Sequence, residues 1–308
     1  MSKILTVFGA TGNQGGSVIQ AILTDPALSS EYKLRGVTRD VGKPAAQALT
    51  AKGVEMVQAD MSSAEAAAPA VQGAHTVFLV TNFWETMSAE VEMAQGKAVA
   101  DAARAAGVKH LIFSSLMDVS RATGGRLRHV THFDGKARVE EYIRGSGVPC
   151  TFVQPGLFMS GFFSFLRRQD DGSFRWAAPQ GVRAHEAQLP LFDAASDTGL
   201  FVKAAVRGGG GGTGERILAA TDYYTPARIA AEFELVTGRK MHYVEVPHDE
   251  YRSSLPAPAA QELLENMLLL QEPGYYAGAD LAPSLALLGG EKPTSWREFV
   301  ERNRDRWV

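Results

Sequence analysis

An apolar, β-branched run, Lys3-Ile4-Leu5-Thr6-Val7-Phe8, feeds directly into glycines at positions 9, 12 and 15, and helix-forming sequence from Gly16 to Leu23 follows at once. Few folds accommodate that spacing. A strand, a turn with three glycines and a helix make the first βα unit of a dinucleotide-binding sheet. Gly9 permits the tight turn, Gly12 lets the backbone approach a pyrophosphate, and Gly15 lets helix and strand pack closely. The free N–H groups and positive dipole end of the helix then face the phosphates. Thr11, Asn13 and Gln14 lie on the same turn as candidate contacts.

The end of the second strand indicates which dinucleotide. Tyr32 to Thr38 reads as a short strand and is followed by Arg39, with Lys43 a few residues on. An NAD site usually places a carboxylate here for the ribose hydroxyls. A guanidinium instead matches a phosphate dianion in bidentate fashion. The expected cofactor is therefore NADP(H), with Arg39 on its 2′-phosphate and Thr38 and Lys43 beside it. Further candidate cofactor contacts are Asp60, Thr81, Asn82, Lys136 and Pro155.

The first half alternates strand and helix patterns. Val54–Asp60, Thr76–Thr81, Lys109–Ser115 and Pro149–Pro155 continue the strands, while Ala64–Val71, Ala89–Ala106 and His132–Arg144 have helical periodicity. Apolar strands alternating with helices imply a parallel sheet covered on both faces. The expected fold is α/β, a Rossmann-type doubly wound parallel sheet with a smaller mixed α/β C-terminal lobe. Residues 1–156 would form the NADP(H)-binding domain, with a returning segment near 188–206 whose helix Ser196 caps. Residues 157–308 would form a substrate or partner lobe over the carboxyl edge of the sheet. The glycine run 208–212 reads as a surface loop, Thr225-Pro226 as a helix start and Ser295–Glu298 as a capping box.

Composition narrows the function classes. A net charge of −3 gives no general attraction to nucleic acid or anionic membrane. No apolar run approaches the roughly 20 residues of a membrane span. The chain enters its first strand at once, so no signal peptide is expected, and Cys150 is the only cysteine. The histidines show no metal-ligand spacing. A cytoplasmic, metal-independent protein is the expectation, with a homodimer left open.

Reductases of this architecture need a proton donor near the nicotinamide. In short-chain dehydrogenases a Tyr-x-x-x-Lys pair after the fifth strand commonly serves, together with a serine on that strand. At the matching place this chain has His132-Phe133-Asp134-Gly135-Lys136: the lysine is present and the tyrosine is not. Lys136, His132, Ser114 and Ser115 are the catalytic candidates, each with a plainer alternative as ribose holder, helix-start residue or strand-end loop contact. Phe83 and Trp84, on the loop after the fourth strand, are placed to reach the nicotinamide half and a substrate pocket, with simple packing the alternative for Trp84. Phe158 and Phe162 either line a large apolar pocket or form the core between the lobes.

Six segments together carry a resemblance to a family. They are Gly9–Gly16, Val37–Asp40, Thr81–Glu85, His132–Lys136, Val139–Tyr142 and Gly147–Pro149. In these the chain resembles the NmrA-like family of atypical short-chain dehydrogenases, strongly to about Gly156 and loosely beyond. The resemblance implies NADP(H) binding and two contrasting functions. The family's best-known members, a fungal nitrogen-metabolite regulator and an animal NADPH sensor, change their association with partner proteins according to redox state. Related isoflavone and phenylcoumaran reductases also lack the tyrosine yet reduce substrates, using a lysine at the place of Lys136. The first expectation is thus a redox-responsive regulator that binds a protein partner. The alternative is an NADPH-dependent reductase or rearrangement enzyme for a bulky apolar, phenolic or quinone-like small molecule.

Overall fold

The structure, a computed structural model, describes residues 2–209 and 212–307, so Gly210 and Gly211 of the glycine run lie outside the described residues. The first half supplies β1 (Lys3–Val7), β2 (Tyr32–Thr38), β3 (Glu55–Gln58), β4 (Thr76–Leu79), β5 (His110–Ser114) and β6 (Cys150–Pro155). The second half adds β7 (Leu157–Phe158), β8 (Leu166–Arg168), β9 (Phe174–Pro179), β10 (Leu189–Phe192), β11 (Thr213–Ala219), β12 (Asp222–Tyr224) and β13 (Met241–Val246). Seven strands form the main sheet in the order β11-β6-β5-β4-β1-β2-β3, and every neighbouring pair is parallel. Progression along the sheet reverses between β1 and β4, which opens a crevice at their carboxyl ends.

Buried β-branched and aromatic side chains on β1, β4, β5 and β6 explain why these strands are central. β11 is the strand with little sequence signature. It lies at the edge, and only Ile217 and Ala219 of it are buried, so its polar residues face water and break any alternation.

The glycine turn is built by close approach. Gly9 takes φ +65°, and a Cβ on Gly15 would lie 2.2 Å from the Gly9 carbonyl oxygen. Helix Asn13–Thr24 can therefore start directly against the end of β1. A second close crossing joins it to helix Ala194–Ala204, where Gly199 donates its N–H to Ser17 Oγ at 2.9 Å. That later helix is capped by Asp193, whose carboxylate accepts from Ala195 and Ser196 N–H. Ser196 is thus a recipient of the cap and not its source.

Two small sheets complete the chain, β12-β10-β7 and β13-β9-β8. Segment 188–192 accordingly returns as a strand, but in the first of these small sheets. Behind them Phe162 packs on Trp176 and Trp296 with ring centroids 5.0 and 4.6 Å away. Phe162 is fully buried in this core. The capping box at Ser295 and Glu298 forms as expected.

One buried acid ties helix Ala194–Ala204 to the C-terminal segment. Asp197 accepts the N–H and hydroxyl of Thr294 at 2.9 and 3.0 Å. Burial pushes its carboxyl up to about 6 from an ordinary 3.8, with the Thr294 hydrogen bonds opposing. The folded state then holds its proton over a range where the unfolded chain has lost it, so stability falls as pH rises from 3.8 to about 6. Asp197→Asn is expected to remove that part of the slope. Urea midpoints measured across this range check it, and an unchanged slope in the variant would contradict the assignment.

Candidate functional site

A cavity of about 300 Å³ opens at the carboxyl ends of β4, β5 and β6, between the sheet and the C-terminal lobe. Gln14 from the first helix, Ser114 from β5 and Pro155 from β6 line its sheet side. Thr81, Asn82, Phe83 and Trp84 reach it from the loop after β4, and His132 and Lys136 from helix Thr131–Gly145. Residues from the distant lobe close the far wall, among them Tyr251, Asn266, Met267 and Tyr275. The wall is predominantly apolar. Among its lining residues the only ionic side chains are Lys136 and His132, and each has a buried carboxylate partner.

Lys136 is committed on all sides. Its Nζ donates to the Thr81 carbonyl at 3.1 Å and the Thr81 hydroxyl oxygen at 2.8 Å, and it pairs with Glu92. Glu92 is about 1% exposed and also accepts the Thr81 hydroxyl at 2.8 Å. Its second oxygen is buried without a hydrogen-bond partner. Burial pushes the Lys136 ammonium below its ordinary range while Glu92 opposes the shift.

His132 sits one helical turn earlier. Its Nδ1 lies 2.6 Å from Glu262 Oε1, which also accepts the His132 backbone N–H at 2.7 Å. Glu262 stands on helix Ala260–Leu269, and its other oxygen accepts the Thr131 hydroxyl at 3.0 Å. Asn266, one turn along, approaches His132 Nε2 at 3.4 Å.

The other motif residues divide cleanly. Ser114 donates to Gln14 Oε1 at 2.8 Å on the cavity wall. Ser115 turns elsewhere: it is fully buried and donates to Glu140 at 2.6 Å, within a network that includes Arg144 and Arg216. Asp134 accepts from Val119 and Ser120 N–H and so fixes the turn after β5. Phe83, Trp84 and Phe158 line the cavity, whereas Phe162 belongs to the aromatic core described above.

On the other side of the glycine turn a second hollow of about 270 Å³ is lined by Arg39, Gln58, Ala59, Asp60 and Ala66. The Asp60 carboxyl is held below its usual range by the Ser62 hydroxyl and N–H, with Arg39 adding to the effect. Arg39 pairs with Glu85 of the loop after β4. Thr38 and Lys43 do not line this hollow; Lys43 is exposed at the start of helix Pro44–Ala51. The exposed Thr11, Gly12 and Asn13 lie on the turn between the two hollows. Gln14, Thr81, Asn82, Ser114, His132, Lys136 and Pro155 thus meet in one cavity and Arg39 with Asp60 in another, on either side of the glycines.

Glu92, Glu262 and Asn266 were not among the candidates from sequence. Glu92 stands in the first turn of an otherwise ordinary helix, where an acid needs no special reason. Glu262 and Glu265 carry a signal, being acids three apart on an apolar helix face. Their partners, His132 and His129, are more than a hundred residues away in sequence. Among the described residues no group of histidine, cysteine and carboxylate side chains could hold a metal ion. No helix among them is long and apolar enough to cross a membrane.

The model of the NmrA-like family matches residues 1–300. The NmrA-like family domain-containing oxidoreductase ptmS of Penicillium ochrochloron is 31% identical over 261 residues, covering 79% of this chain and 76% of its own length. The nitrogen metabolite repression protein nmrA of Emericella nidulans is 30% identical over 271 residues, covering 85% and 73%. The crystal structure of NmrA, a negative transcriptional regulator, in complex with NADP superposes with a TM-score of 0.81 at 24% identity, covering 97% of this chain and 94% of that one.

Proposed function

Because this chain belongs to the NmrA-like family, we propose that it binds NADP(H) across the glycine turn and uses it to reduce a neutral, apolar carbonyl or quinone-type small molecule. The residues fit the cofactor. Exposed Gly12 carries no side chain to hold a pyrophosphate off the turn, Gly15 lets the helix start against the Gly9 carbonyl, and Arg39 beside Asp60 offers a guanidinium to a 2′-phosphate. Gln14, Ser114, Lys136 and Pro155 would hold the nicotinamide end. A relative named an oxidoreductase and a similar structure solved with NADP support this reading. When bound, the reduced dinucleotide supplies a hydride.

The observation that carries the substrate class is the cavity wall. It is apolar, and both ionic side chains in it are already paired, Lys136 with Glu92 and His132 with Glu262. A charged ligand would lose its hydration with no free counter-charge in return, whereas a neutral ring system loses little. The test is NADPH oxidation by purified protein against quinones, enones and phenolic ketones, with carboxylate-bearing analogues alongside. Turnover of neutral acceptors only is expected. Tight NADPH binding without oxidation by any acceptor would overturn the proposal.

A second reading, a redox-responsive regulator, draws on the Arg39–Glu85 pair. Glu85 belongs to the same loop that carries Thr81 and Trp84 into the cavity. A 2′-phosphate competing for Arg39 would release that loop, and a ligand can bias a conformation only through such unequal contacts.

A further inference from the structure

We propose that His132, oriented by Glu262 from the C-terminal lobe, is the proton donor of this cavity, and that Lys136 keeps its proton. The proposal rests on the reductase reading above and deepens it.

The geometry assigns the two ring nitrogens different tasks. Glu262 receives the His132 backbone N–H, the Thr131 hydroxyl and Nδ1, so its carboxylate is fixed by three donors and holds a proton on Nδ1 in either charge state. The proton that comes and goes is then the one on Nε2. Beside that nitrogen stands Asn266, a residue that lines the cavity with His132. Asn266 turns its Nδ2 toward Nε2 and so can donate to the neutral ring once the proton has left. Phe83, Trp84 and Phe133 pack around the ring with centroids 4.8 to 5.8 Å away, which limits its motion. Among the described residues the ionisable groups around it are Glu262, the Lys136–Glu92 pair one turn along the helix, the His129–Glu265 pair just before the helix, and the cavity-lining Tyr251 and Tyr275.

Lys136 is the residue that family resemblance favours, and its surroundings argue against it. Its three N–H bonds are matched by the Glu92 carboxylate and the two oxygens of Thr81. Giving up a proton would leave the buried Glu92 charge without its counter-charge. Lys136 is better read as a positioning residue that fixes Thr81 and the loop after β4.

The step balances as a two-electron reduction. Bound reduced dinucleotide would supply a hydride, a hydrogen together with the electron pair of its C–H bond, and would be oxidised by doing so. In an enone or ketone that hydride would go to carbon, the π pair would end on oxygen, and that oxygen would take the Nε2 proton of the His132 imidazolium. In a quinone the hydride would leave a hydroquinone anion, whose oxygen would take the same proton. The neutral imidazole regains its proton from water.

The experiment uses the full chain with NADPH and a naphthoquinone, comparing wild type, His132→Gln, Glu262→Gln and Lys136→Met. His132→Gln should lower kcat roughly 10²–10⁴-fold with NADPH affinity retained, and should abolish the fall of kcat with rising pH. Lys136→Met should keep that pH limb. Nitrogen-15 spectra of the wild-type histidines test the orientation without turnover: the His132 proton should reside on Nδ1, and Glu262→Gln should weaken that preference. A proton found on Nε2 in the neutral ring, or a His132→Gln variant with wild-type kcat and the same limb, would overturn the donor assignment alone. NADPH binding with no hydride transfer by the wild type would overturn the reductase reading and this proposal with it.

Discussion

Glu92→Gln is expected to cost the fold roughly 3–5 kcal/mol, the range for removing one partner of a buried ion pair. The amide keeps the shape of the side chain and can still accept from Thr81 and Lys136. It removes the charge that offsets burial of the Lys136 ammonium, and among the described residues no other carboxylate bonds to that Nζ. The variant should answer to pH in a defined direction. Burial already holds Lys136 below its ordinary range, so the unfolded chain binds more protons than the folded one as pH rises toward the free lysine value. Stability therefore rises with pH in that window, and the Glu92→Gln deficit should shrink there. Replacing both partners, Glu92→Leu with Lys136→Met, should recover most of the loss. Urea denaturation at neutral and alkaline pH measures the wild type and both variants. A Glu92→Gln midpoint equal to that of the wild type would mean that the pair is far better solvated than its burial implies.

Arg39→Ala should weaken NADPH about ten- to a hundredfold, as expected for losing charge-assisted hydrogen bonds worth roughly 1.5–3 kcal/mol, while leaving NADH binding nearly unchanged. The Arg39 side chain is 70% exposed, so a phosphate can reach it without displacing core side chains. Glu85 holds it in the structure described here, and that carboxylate competes with the phosphate. Glu85→Gln should accordingly shift NADPH affinity upward, the opposite direction from Arg39→Ala. Calorimetric titration with both dinucleotides separates these effects. Equal losses for NADPH and NADH in Arg39→Ala would place the 2′-phosphate elsewhere.

The parts of this molecule legible in the sequence are those encoded by neighbours in the chain. The glycine turn, the first six strands and the Ser295 capping box each follow from residues within a few positions of one another. Ser114 ends β5 at the carboxyl edge of the parallel sheet, and Lys136 reaches the same edge from the helix that follows, Thr131–Gly145. The edge strand β11 escaped because its solvent-facing residues are polar and its buried ones few. Ser115 and Ser114 could not be separated by position alone. Alternate residues of a strand face opposite sides, and only the tertiary neighbours, Gln14 for one and Glu140 for the other, show which faces the cavity. The same reason hid Glu92 and Glu262. A buried acid is recognised by the cation or imidazole it meets, and those partners lie 44 and 130 positions away in sequence. Phe162 shows the converse: its phenylalanine-rich surroundings suit a pocket or a core equally well until Trp176 and Trp296 are seen against it.

The most direct test of the central claim is to mix the protein with NADPH carrying deuterium at the reactive carbon and a neutral naphthoquinone or enone, and to follow where the label goes. Transfer of deuterium from the dinucleotide, into the reduced enone or out to solvent through the hydroquinone, at a rate proportional to protein is the predicted result. Label that stays on bound NADPH with every neutral acceptor would contradict a reductase and leave the regulator reading in its place.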